Sequence, residues 1–225
     1  MSRQLTFDLP HRPAMGRDDF FVSSANQTAL AGIEQWAEWP LSKMVLIGPE
    51  GAGKTHLVHV WAAKSGAEIA PAQALETGWR RYREAPALAI EDADTIAGNR
   101  AAEEALFHLH NGFAERQAPL LLTARNPPSL WQITLPDLAS RMAQTGLLRM
   151  DLPDDALLLA VMVKLSLDVG LSVPPSTLSY AVRRIERSFT AAAAFIAALD
   201  AVALAEQRAP SRELAKKVLS TSEEL

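Results

Sequence analysis

The sequence predicts an α/β fold: a parallel five-stranded sheet with its connecting helices, followed by an all-helical segment. Three observations predict it. Short apolar runs of strand length alternate with helical patterns between residues 43 and 151, and such alternation builds a parallel sheet through right-handed crossovers. The first of these runs passes directly into a glycine-rich loop and then a helix. After Leu152-Pro153 the strand signals stop and only helical patterns remain.

The elements follow in order. Residues 1–13 form a tail in which Leu5, Phe7 and Leu9 alternate as in a strand, bounded by Pro10 and Pro13. Proline donates no ladder hydrogen bond, so the stretch is either a stray edge strand or an extended peptide for another protein's pocket. Ser24 or Asn26 is placed to cap a helix running to about residue 39. Lys43-Met44-Val45-Leu46-Ile47 reads as a strand buried on both faces. A helix over about 54–64 follows, with further strands at 67–70, 87–90, 120–123 and 147–151 and a long helix at 99–117. The last segment carries helices at about 154–168, 175–186, 189–207 and 211–219, punctuated by Gly170, Pro174-Pro175 and Pro210. The expected organisation is a peptide at 1–13, an α/β domain at 14–152 and a helical domain at 153–225.

Bulk properties bound the function. The 225 residues are 48% apolar and 21% charged, enough for a core and too apolar for a disordered chain. A net charge of −4 provides no global field toward nucleic acid or anionic membrane. The chain has no cysteine, which excludes disulfides and thiolate metal sites and fits a reducing cytoplasm. No apolar run reaches the ~20 residues a membrane helix needs. The Ala-rich stretch 191–205 is interrupted by Asp200 and reads as a packed helix.

Gly48-Pro49-Glu50-Gly51-Ala52-Gly53-Lys54-Thr55 matches G-x-x-x-x-G-K-[ST] in full, between a buried strand and a helix that continues with His56. Glycines let backbone N–H groups turn inward around phosphate oxygens, and the helix N-terminus adds partial positive charge. Lys54 is placed to reach the outer phosphates and Thr55 to hold Mg²⁺. Ala87-Leu88-Ala89-Ile90-Glu91-Asp92 ends a second strand in carboxylates, with Glu91 in the metal position and Asp92 in the water-orienting position. Asp94 reads as surface or outer shell.

Leu120-Leu121-Leu122-Thr123-Ala124-Arg125-Asn126-Pro127-Pro128 follows about 30 residues later, and Asp137-Leu138-Ala139-Ser140-Arg141 precedes the last strand. This order resembles an AAA+ module: Walker A, Walker B, sensor 1, arginine finger, lid. Asp19-Phe20-Phe21-Val22 with Asn26 resembles the adenine-wrapping segment of the DnaA branch, and the 122–128 and 137–141 stretches resemble that branch's L-T-S-D-R-x-P and D-L-x-S-R. With Gln4-Leu5-Thr6-Phe7-Asp8-Leu9 in front and no DNA-reading helix-turn-helix expected behind, the chain resembles the Hda-type regulators of DnaA. In that family a Q-L-x-L-x-L peptide docks on the polymerase sliding clamp. Gln4, Leu5, Phe7 and Leu9 fit it, with Phe7 where leucine is usual.

The resemblance implies an adenine nucleotide, ADP or ATP, with Mg²⁺, bound by Phe21, Val22, Asn26 and the loop residues through His56. It implies Arg141 as a finger reaching a partner's γ-phosphate in trans. DnaA and the sliding clamp are the implied partners, DNA is reached indirectly, no membrane is involved, and a homodimer is left open. The implied location is the cytoplasm, at the replisome.

Three departures point to weak ATPase activity of the chain's own. The sensor 1 aspartate falls at Arg125, with Asn126 one register away. The sensor 2 arginine falls at Thr190, with Arg184 and Arg187 as stand-ins. Glu91 adds a methylene where aspartate is usual. A DnaA-related helicase loader, and a stand-alone P-loop kinase, are the alternatives.

His56, His59, His108 and His110 lack the spacing and carboxylates of a zinc site and read as capping or packing residues. Phe189 reads as core. The five tryptophans do not interleave with basic residues as a nucleic-acid platform does. Arg80-Arg81-Tyr82-Arg83, the most basic run, reads as a solvated helix face.

Overall fold

The structure is a computed structural model and describes residues 20–222. The clamp-type peptide at Gln4, Leu5, Phe7 and Leu9 lies outside the described residues. Five strands, β1 (Lys43–Ile47), β2 (Glu68–Pro71), β3 (Leu88–Glu91), β4 (Leu120–Ala124) and β5 (Gly146–Arg149), form a parallel sheet in the order β2-β3-β4-β1-β5.

Strand alternation assigns the side chains to two layers. Val45, Ile47, Leu88, Ile90, Leu120 and Leu122 face a layer with α3 (Leu75–Gly78), α4 (Arg100–Glu115) and α5 (Pro136–Ala143). Met44, Leu46, Ala89 and Leu121 face the other, with α1 (Gln27–Glu34) and α2 (Lys54–Ser65). Coverage on both faces explains why β1 and β4 are apolar at nearly every position. The P-loop leaves the carboxyl end of β1, where open α/β sheets bind their ligands.

Helices α6 (Asp155–Asp168), α7 (Pro175–Val182), α8 (Phe189–Glu206) and α9 (Arg212–Ser222) complete the described chain, with a core of their own around Leu158, Leu178, Ile196 and Leu199. By length and composition α8 passes for a membrane span. Here it buries Phe195, Ile196, Leu199 and Ala203 against its neighbours.

Two helices stop short of their expected ends. The first ends at Glu34 and gives way to two short 3₁₀ turns around Trp39-Pro40. The residue before a proline is steered from the helical region, and Trp39 is extended. Its indole N–H donates to the Gly32 carbonyl at 2.7 Å, closing the helix end. Helix α7 ends at Val182 because Arg184 and Ile185 N–H groups turn back to the Ala181 carbonyl.

Glu103 fixes the approach to α5. It is fully buried on α4 and accepts from the Gly98, Thr134 and Leu135 N–H groups and from the Thr134 hydroxyl. Burial pushes its carboxyl up, but these donors outweigh it and hold the group below the usual carboxylate range.

Candidate functional site

The P-loop turns on two left-handed glycines, Gly51 (φ 76°) and Gly53 (φ 92°). Both also lack space for a side chain. A Cβ on Gly51 would lie 2.5 Å from Ser188 Cβ, and one on Gly53 2.8 Å from the Phe189 ring. The start of α8 therefore packs directly on the loop, an approach only glycine permits.

Lys54 opens α2 and is only 8% exposed. Its Nζ donates to the Gly48 and Pro49 carbonyls at 2.7 and 2.9 Å. Burial pulls its pKa below the ordinary lysine value, while the Asp92 and Asp94 carboxylates oppose that shift. Asp92, in a left-handed conformation at φ 54°, is held by its N–H donating to Thr123 Oγ1 at 3.0 Å. Asp94 Oδ2 accepts from the Arg125 N–H at 3.0 Å, tying the exit of β3 to the exit of β4.

A cavity of about 590 Å³ opens between this loop and helices α6 and α8. Of the residues singled out in the sequence, Phe21, Asn26, Glu50, Gly51, Gly53, Lys54, Thr55, His56, Asp92, Arg125 and Thr190 line it. Asn26 braces the 21–26 turn, donating to the Phe21 carbonyl at 2.9 Å and accepting from the Ser23 N–H at 3.0 Å. Val22, Gly48, Pro49, Ala52, Glu91 and Asn126 are absent from the lining. The Asn126 backbone carbonyl accepts from the Trp131 indole N–H at 2.8 Å. Arg184 lies over the Tyr180 ring at 3.8 Å and Arg187 pairs with Asp155 at 2.7 Å, and neither enters the cavity.

The apolar wall of the cavity comes largely from residues not singled out in the sequence. Leu157, Val161 and Leu165 line the cavity from α6, with Phe189 and Ala193 on α8 and Phe20 from the opposite side. The first three are spaced i, i+4, i+8 and form one helical stripe. Leu158 and Met162 face the helical core, so α6 is apolar on two faces, and the second face is the signal. Phe20 meets His56 edge to face at 5.2 Å.

The donor set suits Mg²⁺ held jointly with phosphate. Among the described residues no cluster of three or more His, Asp or Glu side chains could hold a metal. Thr55 and Asp92 line the cavity, and Asp94 Oδ1 is a buried acceptor without a hydrogen-bond partner. Such a cation keeps few protein ligands and relies on phosphate oxygens and waters.

Arg141 stands apart from the cavity. It is exposed on α5, over the Phe107 ring at 5.3 Å, and its charge acts on Lys43, at the opposite end of β1 from the P-loop. Burial and then Arg141 lower the Lys43 pKa to about 8, and burial with both cations lowers that of His110 to about 4. Because the folded Lys43 value lies below the ordinary 10.5, the unfolded chain binds the extra proton between the two values. Stability from this group therefore rises with pH across that window. Lys43→Met is expected to be more stable at pH 7, by on the order of 2 kcal/mol. Urea unfolding at pH 7 and pH 9.5 should show that advantage shrink at the higher pH.

Of the remaining features, His108 stacks on Trp79 at 5.2 Å. Arg80 and Arg83 lie over the same indole, and Arg81 lies over Tyr82. The basic run is thus a short 3₁₀ turn with guanidinium groups laid on aromatic rings.

No protein-family model matches the chain. Over 196 residues it is 27% identical to the chromosomal replication initiator protein DnaA of Thermomicrobium roseum, covering 75% of this chain and 41% of that protein. The chain thus spans about two fifths of that relative. Domain III of the Thermotoga maritima replication initiation protein DnaA superposes with a TM-score of 0.81 at 16% identity, over 95% of this chain and 98% of that one. AMPPCP-bound DnaA from Aquifex aeolicus gives 0.70 at 15% identity, over 81% and 64%. The RuvB Holliday junction branch migration motor of Thermotoga maritima gives 0.69 at 15%, over 87% and 69%. The chain has the AAA+ fold, and its sequence is similar to that of DnaA.

Proposed function

We propose that this chain is a DnaA-related AAA+ regulator that holds an adenine nucleotide, ADP in its working state, and stimulates ATP hydrolysis by DnaA in trans. The observation that carries the reading is the separation of its two functional ends. A cavity with a P-loop lies at the carboxyl ends of the strands, while Arg141 projects from α5 near the amino end of β1.

In the nucleotide reading, backbone N–H groups of the P-loop and the Lys54 ammonium bind phosphate, Thr55 and Asp92 take the cation, and the apolar wall of Leu157, Val161 and Phe189 receives the base. Mg²⁺ and phosphate supply the charge that these residues neutralise. Domain-level roles follow: residues 14–152 carry the phosphate-binding half and 153–225 the lid. The position expected for Glu91 at the metal is better served by Asp92, which faces the cavity.

In the regulatory reading, Arg141 stabilises charge on the phosphoryl group of ATP bound to DnaA, a role that demands an exposed guanidinium outside its own cavity. Gln4, Leu5, Phe7 and Leu9 bring the chain to the DNA-loaded sliding clamp, in the cytoplasm at the replisome. The net charge of −4 leaves that localisation to a peptide in a pocket.

The test mixes this protein, clamp loaded on DNA and ATP-bound DnaA, and follows the nucleotide on DnaA. The expected result is faster conversion to ADP only with all components present. Conversion no faster than with DnaA alone rejects the regulatory reading.

A further inference from the structure

Arg125 and Glu50 face one another across the mouth of the cavity, guanidinium to carboxylate at 2.7 Å. Glu50 belongs to the P-loop and Arg125 follows β4 directly. Both side chains are largely exposed, 61% and 80%. An exposed pair of this kind contributes little stability and exchanges partners readily. The Arg125 backbone does not share that freedom, because its N–H is anchored on Asp94. The side chain therefore turns about a fixed point.

Arg125 is the one arginine among the described residues that line the cavity. Its planar fork matches phosphate oxygens two at a time, which a lysine cannot do. Lys164, on the α6 side, is paired with Asp168 at 2.9 Å. Thr190, which lines the cavity from the lid, has no charge, while Arg184 and Arg187 are engaged on Tyr180 and Asp155.

We infer that Arg125 and Glu50 together count phosphates: Glu50 retains Arg125 beside a diphosphate, and a third phosphate takes the guanidinium away and leaves the Glu50 carboxylate facing it. The arrangement deepens the nucleotide reading above and rests on it. It biases the site toward the diphosphate, because binding a triphosphate exposes an unpaired like charge. Arg125 thus performs from the sheet the γ-phosphate contact that the lid, with Thr190, does not supply.

Equilibrium titration of the full chain with ADP and with the non-hydrolysable AMPPCP tests it. Glu50→Gln should shift the affinity ratio toward the triphosphate by about tenfold, the scale of one charge-assisted hydrogen bond. Arg125→Ala should shift it toward the diphosphate by a similar factor, with Arg125→Lys between wild type and alanine. Both side chains are exposed, so thermal unfolding should stay near wild type. Variants that change both affinities equally, or neither, overturn the inference while leaving nucleotide binding intact. A wild-type chain that binds neither ligand overturns the nucleotide reading and this inference with it.

Discussion

Replacing Arg141 with alanine should abolish stimulation of DnaA's ATP hydrolysis, a loss on the order of 10³ in rate. The side chain is exposed, contacts the Phe107 ring and lies outside the cavity lining. Its removal costs little packing, so folding and the chain's own nucleotide affinity should hold. Arg141→Lys should fail to rescue, because a point charge does not reproduce the guanidinium fork on a phosphoryl group. A second readout comes from the groups that Arg141 depresses. Lys43 and His110 should both titrate higher in the alanine variant, since one nearby positive charge is gone. Stimulation by Arg141→Ala equal to wild type would sink the finger assignment.

Lys54→Ala should weaken binding of ADP by about a hundredfold or more, the scale of removing one partner from a buried charge pair. Lys54 is 8% exposed and already bridges the Gly48 and Pro49 carbonyls, so its loss also loosens the loop. Lys54→Met separates the effects, restoring the aliphatic stem without the charge. If both variants lose affinity alike, the charge is responsible. Titration of the full chain reads the affinity directly, and affinity unchanged in both variants would contradict the role given to Lys54.

What the sequence made legible was local. The parallel five-stranded sheet was readable because β1 and β4 are continuous apolar runs, a pattern that only double coverage explains. The P-loop was readable because eight adjacent residues carry its motif. The course of residues 35–42 was obscured because apolar periodicity continues through Trp39 while Pro40 redirects the backbone. The cavity's apolar wall was obscured for another reason. Leu157 and Val161 look like core residues until the fold shows that Leu158 and Met162 already serve the core, while Leu165 borders both. Phe189 packs against the helical core, as its sequence suggests, and also borders the cavity against Gly53. The Arg125–Glu50 pair joins residues 75 positions apart, and no periodicity announces such a contact. The buried acceptor set on Glu103 depends likewise on where Thr134 and Leu135 return to α4.

In the proposed function the nucleotide lies between the P-loop and helices α6 and α8. Photolabelling of the full chain with 8-azido-ADP, followed by peptide mapping, tests this most directly. The predicted result is label on residues 20–26 or 157–165, lost when unlabelled ADP is present in excess. Label confined to another surface, such as the groove beside Trp79 and Arg83, or label that unlabelled ADP does not displace, would contradict it.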